Sequence, residues 1–190
     1  MSRPIKFFLL FTVCAIFSGE GLYAQLEWYV SGQSSTTLSD IVPQQSASEV
    51  YREGRTTALF TETLVGGGKI VPAVGLGLER IRFAPLADGD DQPEYFRLGV
   101  PVGMALRLRE AETSFNVITT LMLQPSFTFG TTGIDENYGP RDVQWLAKVG
   151  GRVTLDPIFL GANFQPSLGD RWRDAPSASA YWTFFAGIRW

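Results

Sequence analysis

Asp88, Asp90, Asp91 and Glu94 gather four carboxyls in one acidic stretch, PLADGDDQPE. Paired carboxylates can share acid and base work, and clustered oxygen ligands suit calcium. The stretch lacks EF-hand spacing, and solvated loop charge is the plainer reading. The sequence contains no histidine, so neither a Ser-His-Asp unit nor a histidine-bearing metal site can be assembled. Its one cysteine, Cys14, lies in an apolar N-terminal run, which leaves the rest of the chain without a thiolate ligand or a disulfide. Glycine-rich pieces such as GGGK and VGLGLE open no helix, so they do not read as phosphate loops. No enzyme, cofactor or metal site is expected from these residues.

A second set of ionisable side chains is dispersed. Glu27, Glu79, Arg97, Arg107, Lys148, Arg152 and Arg189 all fall on the same, more polar side of a period-two alternation. Charges on a buried face must be paired, so an interior salt-bridge network is the plain expectation. The sharper one is a narrow polar path for ions or small solutes. Glu27, near the start of the first strand, and Arg189, near the end of the last, are expected to pair where those strands meet.

The elements that must position these residues are strands. The last stretch sets Ala180, Trp182, Phe184, Ala186, Ile188 and Trp190 against Ser179, Tyr181, Thr183, Phe185, Gly187 and Arg189. Such alternation means an extended strand with one apolar face. The same period recurs from Leu26, over Lys69 to Phe83, Tyr95 to Arg109, Ser114 to Phe129, Val143 to Thr154 and Ile158 to Leu168. A strand over Thr56 to Val65 is the least clear, because Glu62 falls among apolar neighbours on either face. The expectation is eight strands in an antiparallel meander. Long connections are predicted at about 34–55, 84–94, 130–142 and 169–177, and short ones at about 66–68, 110–112 and 155–157. All long loops then lie at one end, as in a barrel inserted from the periplasm.

At the N-terminus, Arg3 and Lys6 precede an apolar run from Phe7 to Phe17 and a small, polar stretch to Ala24. This reads as a signal peptide over 1–24, leaving 25–190 as the barrel. A lipoprotein anchored through Cys14 is the alternative, though bulky Val13 precedes that cysteine where a lipobox has a small residue. Removal of Arg3, Lys6 and Glu20 moves the formal charge from −3 to −4, no basis for nucleic-acid binding.

Alternation alone does not say which face points inward, and a secreted lipocalin-type barrel would line its cavity with the apolar face. The polar face here carries Gly, Ser, Thr, Asn and Gln with sparse charge, and beyond residue 24 the only lysines are Lys69 and Lys148. Such a face suits a narrow, filled interior. Aromatics such as Trp28, Phe96, Phe127, Phe129, Trp145, Trp182 and Trp190 recur near strand ends, as interfacial girdles would. The expected fold is therefore all-β, an eight-stranded antiparallel up-and-down transmembrane β-barrel in the outer membrane.

In this pattern the chain resembles the small eight-stranded outer-membrane barrels, of OmpX/OmpW type or like the OmpA transmembrane domain. The most specific element is the C-terminal signal read by the barrel-assembly machinery, matched by Thr183, Ile188 and Trp190, with Phe185 where glycine is usual. The resemblance implies outer-membrane lipid and that machinery as partners, and an extracellular ligand at the loops. It implies a structural or surface-recognition role, of adhesion type. The alternative it carries is a narrow channel or lateral route for small hydrophobic or polar solutes. No peptidoglycan-binding domain follows the barrel pattern.

Overall fold

The computed structural model describes residues 26–35, 38–42, 50–84, 92–108, 115–134, 139–172 and 179–190. The segment read as a signal, Cys14, and Asp88, Asp90 and Asp91 lie outside the described residues. The described strands are β1 (Leu26–Ser35), β2 (Leu38–Val42), β3 (Val50–Val65), β4 (Ile70–Phe83), β5 (Glu94–Gly99), β6 (Val102–Arg107), β7 (Phe115–Thr132), β8 (Val143–Leu155), β9 (Ile158–Pro166) and β10 (Ala180–Arg189). Each pairs antiparallel with its neighbours, and β10 returns to pair with β1. β5 and β6 share one place between β4 and β7, and β2 prolongs the β1–β3 hairpin. The hydrogen bonds therefore form a ring of eight.

Two expected features change. Tyr95 to Arg109 is not one strand, because Pro101 has no N–H to give the ladder. The register nevertheless runs on unshifted, from Gly77 opposite Gly99 to Val74 opposite Val102. Across the gap, Gly75 donates to the Pro101 carbonyl at 2.8 Å and Val100 to the Pro125 carbonyl at 2.9 Å, so the ring is not opened there. The expected loop at 34–55 is largely ladder, with Leu38 opposite Gly54 and Val42 opposite Val50. Backbone pairing needs no apolar side chains, so a ladder can continue where sequence alternation has ended.

Turn chemistry is local. Gly66 opens the Gly66-Gly67-Gly68 turn with φ of 105°, and Gly130, with φ of 62°, supplies the extra residue of a bulge opposite Tyr95 and Phe96. Both backbone states suit glycine.

Along the strands whose side chains are described, burial alternates. In β10, Tyr181, Thr183 and Phe185 point into the ring, while Trp182, Phe184 and Ile188 point out. The inner side chains fall into two apolar clusters. One, toward the short turns, includes Tyr29, Leu64, Val71, Ile118, Met122, Phe159 and Phe185. The other, toward the long connections, holds Ile81, Phe83, Tyr95, Leu146, Trp172 and Tyr181.

Inward glycines make room for the large residues. A Cβ on Gly77 would stand 2.0 Å from the Phe60 ring, and one on Gly161 2.4 Å from that of Phe185. Gly77→Ala should therefore cost about 1–3 kcal/mol through overpacking. Adding Phe60→Leu should return part of that cost, read as non-additivity in urea unfolding midpoints; additive losses would mean that the ring and the glycine do not share the space.

Candidate functional site

The dispersed charges meet inside the ring, in three groups stacked from the short turns to the long connections. At the short-turn end, Arg107 donates from Nη2 to Glu27 Oε1 at 2.8 Å. Its Nη1 reaches the carbonyls of Gly66 and Gly68 at 2.7 and 2.9 Å, so this one guanidinium ties β6, β1 and the triple-glycine turn together. Tyr29 donates to the other oxygen of Glu27. Arg189 is not the partner of Glu27. The β1–β10 register sets Arg189 opposite Tyr29, and its Nε lies 3.4 Å from Asp156 in the β8–β9 turn.

In the middle, Arg152 donates to Glu62 at 2.6 Å. Its guanidinium lies 3.7 Å from the centroid of the Tyr29 ring and 5.6 Å from that of Phe159. Glu62, the residue that blurred the second predicted strand, is thus an inward charge. Lys148, buried, sits 3.9 Å above the Phe60 ring. Among these groups is a cavity of about 20 Å³, lined in part by Ser31, Gln33, Glu62, Lys148 and Arg152. That is room for about one water.

Toward the long connections, Arg97 and Glu79 form a fully buried pair. Gln124 donates to the second oxygen of Glu79 at 2.6 Å, while Arg97 also reaches Gln144 at 3.3 Å and the Tyr181 hydroxyl. Above them Arg171 and Trp172, of the expected loop at 169–177, turn inward. Arg171 donates to Ser179 Oγ at 2.6 Å and to the Tyr95 hydroxyl at 2.7 Å. Trp172 is fully buried against the Phe83 and Tyr95 rings. Arg171 and Trp172 were not anticipated, although a tryptophan flanked by arginines is an unusual thing to leave in water.

The remaining sequence candidates divide. Thr183 faces inward and accepts a hydrogen bond from Gln165 at 2.8 Å. Ile188 and Trp190 face outward, and Trp190 exchanges two backbone hydrogen bonds with Trp28, each 3.1 Å. Of the acidic stretch, Glu94 is described, and it stands outside the ring at the long-connection end. There Arg80 donates to it from Nη2 at 2.6 Å and Arg82 from Nε at 3.2 Å.

Chemically, the interior is a column of ion pairs and amides wedged between aromatic rings. It locks neighbouring and opposite strands together: Arg107–Glu27 and Arg152–Glu62 each span the inside of the ring. No protein-family model matches the chain, and no curated protein sequence matches it.

Removing one partner of a buried pair leaves the other charge unpaired, at about 3–5 kcal/mol. Arg107→Ala is expected to cost that much. In a double-mutant cycle read by denaturant unfolding, Glu27→Ala should couple strongly to Arg107→Ala and add simply to Arg189→Ala. The opposite pattern would restore the Glu27–Arg189 pairing.

Proposed function

We propose that this protein is a small outer-membrane β-barrel, with the ring of eight strands spanning the bilayer. It would be delivered there by its signal segment and the barrel-assembly machinery. The observation that carries this reading is the inverted polarity of the ring. Leu59, Ile70, Leu121, Leu160 and Phe184, on five different strands, are each more than half exposed on the outer face, while Glu79, Arg97, Arg107 and Arg152 are buried within. A soluble barrel has the reverse arrangement, and a continuous apolar band of this kind in water would drive association. In hydrocarbon the same band is at no disadvantage, and the closing β1–β10 ladder removes the two free edges an open meander would have. Trp28 and Trp190 at the short-turn end, and Phe127, Phe129, Trp145 and Trp182 toward the other, stand where interfacial aromatics would anchor it.

Within that reading, the filled interior favours a scaffold that presents its long connections at the cell surface, in a structural or recognition role, over a channel. Salt bridges, amides and Trp172 occupy the space a solute would need. The OmpW-type resemblance carries the second reading, a narrow channel or a lateral route for small solutes.

After refolding into vesicles, Leu121→Arg should cost about 2–4 kcal/mol, and Gly169→Arg, in a connection with open space around it, close to nothing. Equal, small effects would favour a water-soluble ring. In planar bilayers the wild type should carry no large, steady single-channel current; such a current would remove the scaffold reading in favour of a channel. On intact cells, a cysteine placed at Gly169 should react with an impermeant thiol reagent and one at Gly67 should not; the reverse would invert the orientation.

A further inference from the structure

On the outer face of β3, β4 and β5, apolar surface gives way to cationic surface at one level. Down β4 the outward residues run Arg82, Arg80, Leu78, Leu76. In the same rows β3 carries Arg55 opposite Arg82, Thr57 opposite Arg80 and Leu59 opposite Leu78. β5 carries Glu94 opposite Arg82, Phe96 opposite Arg80 and Leu98 opposite Leu78. Three arginines thus stand in two adjacent rows with one carboxylate, which Arg80 and Arg82 share. Glu94 Oε2 takes Arg80 Nε at 3.0 Å, Arg80 Nη2 at 2.6 Å and Arg82 Nε at 3.2 Å. Among the described residues, no carboxylate pairs with Arg55.

Like charges directly opposite across a ladder are unfavourable, yet Arg55 and Arg82 face each other on a surface that is apolar immediately below. Just beneath them an open groove of about 240 Å³ is lined by Thr57, Ala58, Leu59, Leu78, Arg80 and Phe96. The Arg80 guanidinium stands 5.8 Å from the centroid of the Phe96 ring at its upper end. Glu94 holds Arg80 and Arg82 by one edge each. Among the described residues no partner meets the terminal nitrogens of Arg82, whose side chain is half exposed, so they can face a further acceptor.

We propose that this row is a binding site for a phosphate-headed lipid of the leaflet nearest the long connections. Its acyl chain would lie in the groove against Leu59, Leu78 and Phe96, and its phosphate would sit between Arg55 and Arg82. A phosphomonoester supplies the acceptor oxygens that guanidinium forks match, and its charge relieves the opposition of the two arginines. The apolar floor selects an amphiphile over a free anion. The inference rests on the membrane reading above.

The test uses the full barrel in detergent micelles, titrated with phosphatidic acid and followed by native mass spectrometry. Wild type should retain the lipid, and Arg55→Gln with Arg82→Gln should bind it at least about tenfold more weakly, since both cations that face the phosphate are removed. Arg55→Lys with Arg82→Lys should keep most of the affinity. Diacylglycerol, which lacks the phosphate, should not distinguish wild type from the glutamine variant. Equal affinity of wild type and glutamine variant for phosphatidic acid would overturn the site. Displacement of the lipid by inorganic phosphate alone would overturn the lipid as occupant. Insertion into phosphatidylcholine vesicles is scored separately: failure there overturns the membrane reading and the site with it, whereas insertion with equal binding removes the site alone.

Discussion

The ladder between β1 and β10 is the constraint on which the rest depends. Its pairs run from Tyr29 with Arg189 to Ser35 with Thr183, and Trp28 and Trp190 extend it to the last residue. Without it the chain is an open meander with two free edges, each a row of unmet donors and acceptors. With it, every side chain lies either inside or outside, and the period of two assigns them. The demands on the two sets then diverge. Inside, volume is scarce and charge must be paired; outside, the surface is continuous and its composition depends on the surrounding solvent.

Scarce volume explains the inner sequence. Eight strands enclose a space that side chains can fill, so bulky and absent side chains alternate across the ring. Phe60 lies over Gly77, Phe185 over Gly161 and Phe159 over Gly187. The polar groups obey the same geometry. Arg152 is flanked by Tyr29 and Phe159 while it pairs with Glu62, and Arg97 makes its ion pair through a frame of Gln144 and Tyr181. Burying such groups is costly, and it is tolerated because each charge finds an opposite charge, an amide or a ring face. The resulting interior is filled and cross-braced by ion pairs.

The outer surface is less uniform than the apolar band suggests. Above the row of Leu59, Leu78 and Leu98 it passes through Thr57, Arg80 and Phe96 to Arg55, Arg82 and Glu94 within two rows. On the proposed lipid reading, an anionic headgroup would meet Arg55 and Arg82 and an acyl chain the apolar rows below.

The fold class was legible because parity is a local property. Trp182, Phe184 and Ile188 announce an outer face without reference to any other strand, and the inward positions of Glu79, Arg97, Arg107, Lys148 and Arg152 follow from the same count. Partner choice is not local. Glu27 and Arg189 look like neighbours in a closing pair, but the register puts Arg189 across from Tyr29, and Arg107 takes the carboxylate from β6. Glu62 could not be placed until its ladder with β1 and β4 gave it a face. Arg171 and Trp172 carry no periodic signal, and it is the aromatic pocket of Phe83 and Tyr95 that draws them inward. What the sequence determined by itself was which residues share a face, since that requires only the pleat of a strand. Which charges meet was decided by the tertiary structure, since that depends on register, stagger and the distance across a closed ring.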